Sequence, residues 1–183
     1  MAYFAGLDYS MTSPAITVGP SKDFKKCKTF YYTNDKKKVG NSSLGIYGMQ
    51  QHPWETPEER FDLISEWALS ILKKFKVTNA CIEGYSMGSK GNISGICENG
   101  GLMKHKMWKN NIQFTTPAPT QIKKYFCGKG NGNKELMYDA FFEQTKISIL
   151  DDPLYNSLSK DSNPISDIVD SYALLCYCID NQQ

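Results

Sequence analysis

Only two of the 183 residues are histidine and six are cysteine, and no two cysteines form a C-x-x-C pair. That pattern argues against a zinc site. Cys27, Cys81, Cys97, Cys127, Cys176 and Cys178 are scattered, several within apolar runs. They read as reduced, mostly buried thiols rather than a disulfide framework. No apolar run is long enough to suggest a membrane span. The first residues lack the basic and apolar regions of a secretory leader, so the expected location is cytoplasmic. Net charge is also small: 21 basic against 19 acidic side chains leave +2, too little to announce a nucleic-acid partner by itself. Charged residues at 22% and aromatics at 13% exclude a disordered chain. There are no internal repeats, and the length suits one domain over 1–183 with a sizeable core.

The basic residues that are present are grouped. Lysines gather at 22–28, 36–38, 73–76, 104–109 and 123–134, while acids concentrate in 55–66 and 135–170. Local basic surface can bind phosphates on a nearly neutral protein, although any one cluster also suits plain solvated surface. Strands are expected over 3–8, from Ala15 to Val18 and over 27–33, joined closely enough for an antiparallel meander. Residues 34–55, rich in Gly, Asn, Ser and Lys, read as a long loop. Thr56-Pro57-Glu58-Glu59 has the form of a capping box with proline at the first helical position, opening an amphipathic helix to about Lys76. A strand over 79–85, a glycine-rich loop, a helix over 94–108 and a strand over 112–117 follow. Two shorter helices then precede a polar connector over 151–163 and a last helix, with Asn163 as cap and Pro164 at its first position. This order predicts a mixed α/β sheet with helices packed over it.

Four acids stand out by position. Asp8 closes the first strand, Glu83 lies at the end of the fourth, and Asp167 and Asp170 lie early in the last helix. A carboxylate in a buried strand needs compensation by a hydrogen-bond network, a partner cation or a metal. The spacing of three residues puts Asp167 and Asp170 on one helix face, flanked by Ile168, Val169, Tyr172, Ala173 and Cys176, so both should point inward. Each acid alone also has a structural role available: a turn cap for Asp8, a lysine pair for Glu83, a favourable helix-dipole position for Asp167, a solvated surface for Asp170. Together they would suit hard divalent cations, two of which about 4 Å apart clamp the attacking and leaving oxygens of a phosphodiester. Lys123, Lys129 and Lys134 surround "CGKGNGN", whose glycines let backbone amides approach a phosphate closely, or else form an ordinary surface loop. "GYSMGSKGN" offers Tyr85, Ser86 and Lys90 on a similarly pliant connector. His52 and His105 have no nucleophile partner visible in the sequence and are assigned no catalysis.

These segments resemble, in order, the RuvC-type Holliday-junction resolvases of the RNase H-like (retroviral integrase) superfamily. "GLDYSMTSPAITV" is similar to their first strand, turn and second strand, with Asp8 as the metal-binding acid. "ACIEGYSMGSKGNISGICENGGLMKHKMW" resembles the strand ending in the catalytic glutamate, here Glu83, with its loop and helix. "TQIKKYFCGKGNGNKELM" resembles the segment holding two functional lysines, matched by Lys123 and Lys134, and "SDIVDSYALLCYCI" the final helix with its aspartate pair. The chain departs from the family in having Ser10 where a glycine is usual, and in placing its nearest loop aromatic, Tyr85, one position off. Segments 34–55 and 147–164 are also longer than in cellular members, which suits a divergent phage or viral one.

The resemblance implies an RNase H-like fold with a five-stranded mixed sheet, three strands antiparallel and then two parallel. It implies a Mg²⁺-dependent endonuclease with two ions per site, Mn²⁺ substituting, held by Asp8, Glu83, Asp167 and Asp170. Lys123 and Lys134 would assist, and Tyr85, Ser86, Lys90 and Lys129 would join them in contacting DNA. The expected partners are a branched, four-way DNA junction and a second copy of the chain. The homodimer would form through the 94–108 helix, along Ile96, Cys97, Gly100, Gly101, Lys104, Met107 and Trp108. The alternatives are an RNA–DNA hybrid or fork nuclease, a junction-binding protein without activity, and an actin-like phosphotransferase, for which the chain is too short.

Overall fold

The computed structural model describes residues 2–85 and 93–181. β1 (Tyr3–Asp8), β2 (Ala15–Gly19) and β3 (Lys28–Thr33) form the expected antiparallel meander. β4 (Gly40–Asn41) and β5 (Ile46–Gln50) follow, and β6 (Val77–Ile82) and β7 (Gln113–Thr115) extend the sheet in parallel from β1. The result is a mixed sheet in the order β4-β5-β3-β2-β1-β6-β7, with seven strands where five were expected.

The two additional strands lie inside the stretch read as a loop over 34–55. β5 runs parallel to β3, pairing Ile46 with Thr29 and Gly48 with Tyr31. Ile46 is fully buried, and Gly48 makes room for the Tyr31 phenol, whose hydroxyl donates to the Lys38 carbonyl. A side chain at 48 would collide with that phenol, so this glycine is a packing requirement of a strand and not a loop signal. The connector over 151–163 also belongs to the body of the fold. Tyr155 is fully buried, and Asp152 accepts hydrogen bonds from the Ser42 hydroxyl at 2.6 Å and the Leu154 amide at 3.0 Å. The two long segments are therefore packed on one another.

Helices cover both faces. On one, α1 (Pro57–Lys74) and α2 (Ile93–Lys109) bury Trp67, Leu72, Met103 and Met107 against Leu7, Ile16 and Ile82. On the other, α3 (Pro119–Cys127), α4 (Lys134–Thr145) and α5 (Ile165–Asp180) build a core around Tyr31, Phe141, Tyr155 and Tyr172. α1 begins as its sequence requires: the Thr56 side chain accepts from the Glu59 amide, and the Glu59 carboxylate accepts from the Glu55 amide at 2.7 Å. β6 starts earlier than expected and stops before Glu83, so the acid follows the strand. α5 starts one residue late, with Pro164 in the cap position. Asn163 is not the cap; its side chain accepts instead from Lys134 at 3.4 Å and Ser166 at 3.0 Å.

α5 lies unusually close to the sheet. A Cβ on Gly6 would collide with the backbone of Ser171 and Leu175, so only glycine admits this approach. A buried chain of hydroxyls fixes the register there: Ser171 meets Thr17 at 2.7 Å, and Thr17 meets Thr29 at 3.0 Å. All three are sealed from solvent, and each finds a partner in the chain. Gly6→Ala should therefore cost stability at the upper end of the roughly 1–3 kcal/mol typical of overpacking. Urea unfolding measures it, and a cost within a few tenths of zero would show that α5 does not bear on β1 in this way.

Candidate active site

Strand alternation places the first acid. In β1, Ala5 and Leu7 face α1 and α2, while Phe4 and Gly6 face α5, so Asp8 falls on the α5 side. The same rule acts in β6, where Ala80 and Ile82 pack toward α2 and Cys81 toward α5; Glu83 follows Cys81. β1 and β6 are parallel with Leu7 opposite Ile82, and the Glu83 amide donates to the Leu7 carbonyl at 3.2 Å. Asp8 and Glu83 therefore emerge side by side at the C-terminal ends of adjacent strands. The α5 approach at Gly6 then brings the first turns of that helix, with Asp167 and Asp170, over the same point.

The electrostatics show that the four acids share one environment. Asp8 is held well above the usual carboxylate range, first by burial and then by the charges of Asp167, Glu83 and Asp170, with Lys134 opposing. Burial raises Asp170 to about 7, aided by Glu83 and Asp167 and resisted by Lys123 and Lys134. Asp167 is raised to about 6 by burial, against the Ser13 hydroxyl and the Lys134 ammonium. Glu83 is raised by burial and held back by Lys123. Both family-matched lysines thus stand beside the carboxylates. Lys134, the first residue of α4, is braced by the Ser166 hydroxyl at 3.1 Å and the Asp161 carbonyl at 3.2 Å.

The carboxylates are near enough to repel but have not closed around a point. Among the described residues, no group of three or more His, Cys, Asp or Glu side chains is drawn together as an ion's ligands. One atom nevertheless demands a partner. Asp167 Oδ2 is buried without a hydrogen bond, while Oδ1 accepts a long one, 3.4 Å, from Ser166. A buried unsatisfied carboxylate oxygen is costly, and an all-oxygen donor set fits a hard divalent cation. The residues therefore fit the metal that the resemblance implied.

The other expected DNA contacts divide. Lys129 is exposed between Gly128 and Gly130. Tyr85 is half-buried and held against α2: its hydroxyl donates to the Cys97 carbonyl at 3.1 Å, and Lys104 lies 4.2 Å from its ring centroid. Ser86 and Lys90 fall outside the described residues. Ser13, Ser166 and Asn99 also border the site and were not singled out from the sequence; Lys104, read there as part of the partner stripe on the 94–108 helix, borders it too. The serines left no signal in their spacing. Asn99 left one, as a polar residue four and eight positions before Met103 and Met107 on the buried face of α2.

No family model matches the chain. Over 126 residues, 67% of its length, it is 29% identical to the crossover junction endodeoxyribonuclease RuvC of Brachyspira hyodysenteriae (strain ATCC 49526 / WA1), covering 76% of that protein. Its structure is similar to that of Thermus thermophilus RuvC, with a TM-score of 0.62 at 16% identity, over 96% of this chain and 92% of that one. The same protein in complex with a Holliday junction substrate gives a TM-score of 0.63, at the same identity and coverage. The yeast mitochondrial Holliday junction resolvase Ydc2 gives 0.58 at 16% identity, over 96% of this chain and 76% of that one. The fold is therefore of the RNase H-like α/β class. Within that class the particular likeness is to the RuvC-type resolvases, and sequence similarity and fold both bear it out.

Raised carboxyl groups have a thermodynamic consequence. Their folded-state values exceed the ordinary value of 3.8, so between that pH and about 7 the folded protein binds more protons than the unfolded chain. Stability of the metal-free protein contributed by these groups is therefore present at low pH and is lost as pH rises through about 6 to 7. The melting temperature without metal should fall by several degrees from pH 5.5 to 8, and added Mg²⁺ should restore more at pH 8 than at pH 5.5. Asp8→Asn should flatten both responses. A metal-free protein equally stable at both pH values, with no Mg²⁺ effect, would contradict this electrostatic picture.

Proposed function

We propose that the chain is a divalent-metal-dependent endonuclease that resolves four-way DNA junctions. The observation that carries this reading is the convergence of four carboxylates, Asp167 buried and Asp8, Glu83 and Asp170 half-buried, with Lys123 and Lys134 beside them. Similarity to RuvC supports it independently. Binding DNA alone would gain nothing from such a cluster, because carboxylates repel phosphates.

Asp8, Glu83, Asp167 and Asp170 would hold two Mg²⁺ ions, or Mn²⁺ in their place. Bound there, the ions supply charge neutralisation and an activated water for phosphodiester hydrolysis. The chain's own groups do the rest. The Lys123 charge faces Glu83 and Asp170, and that of Lys134 faces Asp8, Asp167 and Asp170, so both are placed to offset charge on a scissile phosphate. The braced Lys134 loses little freedom on engaging it. The α4 N-terminus, capped by Asn133, and the exposed Lys129 in its glycine-rich loop suit the flanking backbone.

Under single-turnover conditions at saturating protein, a mobile four-way junction should be cut only with Mg²⁺ or Mn²⁺. Asp170→Asn should remove detectable cutting while still binding the junction, since one repulsive charge is lost. Lys123→Ala and Lys134→Ala should slow the cut by about 10²-fold or more, a typical loss for a preorganised charge-stabilising group. Near-parental cutting by Asp170→Asn would refute the site. Cleavage of an RNA–DNA hybrid but of no branched DNA would transfer the fold to a different substrate.

Two symmetrical cuts need two active sites, and a two-fold dimer supplies them in fixed register. α2 divides differently from the stripe drawn on the sequence. Gly100 and Met107 are buried within the chain's own body, and Cys97 and Lys104 are partly covered. The open face instead carries Glu98, Gly101, His105 and Trp108, with Ile93 and Ile96 at its margin. Trp108 is 69% exposed, and a Cβ on Gly101 would meet nothing within 4 Å. This face is the proposed partner surface. Gly101→Arg is accommodated by the fold and should yield a monomer that nicks junctions without pairing its cuts. Light scattering that finds the parent monomeric while it cuts both strands would overturn the dimer.

A further inference from the structure

Lys134 opens α4, but what seats its ammonium lies elsewhere in the chain. An ammonium has three hydrogens to give, and here each finds an acceptor. They are the Asp161 carbonyl at 3.2 Å, Asn163 Oδ1 at 3.4 Å and the Ser166 hydroxyl at 3.1 Å. All three lie within residues 161–166, so this short stretch is the seat of the lysine. Ser166 belongs to α5, which the sheet holds. Asp161 and Asn163 precede that helix, in the polar connector, and need a support of their own. Two lysines tie the connector to the rest of the chain. Lys160 meets Asp139 of α4 at 2.6 Å, but both side chains stand largely in solvent, where an ion pair contributes little. Lys38 donates to the Asn163 carbonyl at 2.8 Å and is mostly covered.

Lys38 is itself fixed at its backbone. It ends a single 3₁₀ turn over Lys36–Lys38, which Asp35 caps by accepting from the Lys37 amide at 3.0 Å. The Lys38 amide donates to the Asp35 carbonyl at 3.0 Å, and its carbonyl accepts from the Tyr31 phenol. The Tyr155 hydroxyl meets that phenol at 3.4 Å, and both rings are fully buried. Lys36 and Lys37 are exposed, so the inward lysine of this turn is the one rooted in the core. A continuous strut runs from Tyr31 through Lys38 to Asn163. Asn163 is the shared joint: its carbonyl takes Lys38, and its side-chain oxygen takes Lys134 and Ser166.

We propose that Lys38 is a positioning residue for Lys134: by holding the Asn163 carbonyl it fixes the seat that presents the Lys134 ammonium to the carboxylates and the scissile phosphate. The inference rests on the nuclease reading above and gives the 34–55 segment a part in the reaction. The 3.4 Å bond to Asn163 Oδ1 is the weakest of the three, so it is the one a phosphate oxygen displaces. The Asn163 backbone, held by Lys38, then stays in place while its side chain yields.

The test is single-turnover cutting of a four-way junction by the full-length protein at saturating Mg²⁺, with junction affinity measured alongside. Lys38→Met keeps the stem and removes the donor, and should slow the cut about tenfold, as a small displacement of a reacting group does. Affinity should stay within about twofold, because no phosphate contact is lost. Lys38→Arg, which can still donate to the Asn163 carbonyl, should restore most of the rate. Added to Lys134→Ala, Lys38→Met should slow the cut no further, since a residue acting through another is not additive with it. A merely structural role would slow both backgrounds alike. Lys38→Gln, one atom shorter, serves if Lys38→Met does not fold. A parental rate in Lys38→Met, or an equal further loss on top of Lys134→Ala, would overturn the inference. So would lost affinity and a shallower salt dependence with a parental rate at saturation, which would make Lys38 a plain phosphate contact. A parent that cuts no junction would overturn the nuclease reading and this inference with it.

Discussion

The contact of α5 with β1 at Gly6 is what the site depends on. Backbone meets backbone there, and the hydroxyls of Ser171, Thr17 and Thr29 lock the helix in register across three strands. One helical turn before Ser171 lies Asp167, with Asp170 adjoining; one strand period after Gly6 lies Asp8. The distance between these carboxylates is thus set by the thickness of a helix–sheet contact in which Gly6 puts no side chain between the two backbones. A larger residue at position 6 would lift α5 and part the acids, although it touches none of them.

The arrangement concentrates repulsion in a buried place. Burial alone pushes each carboxyl up, and the neighbours add to it for Asp8 and Asp170. Lys123 and Lys134 offset only part of this, and Asp167 Oδ2 remains without a donor. Such a cluster is poorly satisfied by protein alone, and the proposed cations would relieve that instability. The two long segments bear on it indirectly. Lys38, in the 34–55 stretch, donates to the Asn163 carbonyl at 2.8 Å, and Asn163 in turn accepts from Lys134 and Ser166. Chain outside the common core therefore helps to hold a lysine of the site.

Much of this was legible in the residues, and the parts that were not share a cause. α1 declared itself through Thr56, Pro57 and Glu59, and the meander through its apolar alternation. The acids were legible because a carboxylate in an apolar strand, or paired at i and i+3 on a mostly buried helix, breaks a local rule. β5 was missed because Gly45 and Gly48 carry the composition of a loop; what makes Gly48 a strand residue is the Tyr31 phenol, distant in sequence. Tyr155 and Asp152 were hidden in the same way among Ser, Asn and Asp, their partners lying more than a hundred residues away. Ser13 and Ser166 carry no periodic signal, since a hydroxyl beside a carboxylate is a tertiary fact. In the 94–108 helix the apolar and small residues were gathered into one stripe, whereas Gly100 packs on Tyr85 and Met107 enters the core, leaving Gly101 and Trp108 outside.

The central claim is that Asp8, Glu83, Asp167 and Asp170 form one centre for two ions. Its most direct measurement is anomalous diffraction from crystals soaked in Mn²⁺. The account predicts two peaks about 4 Å apart, ligated by these four carboxylates. A single peak elsewhere on the molecule, or none at concentrations that support cleavage, would contradict it.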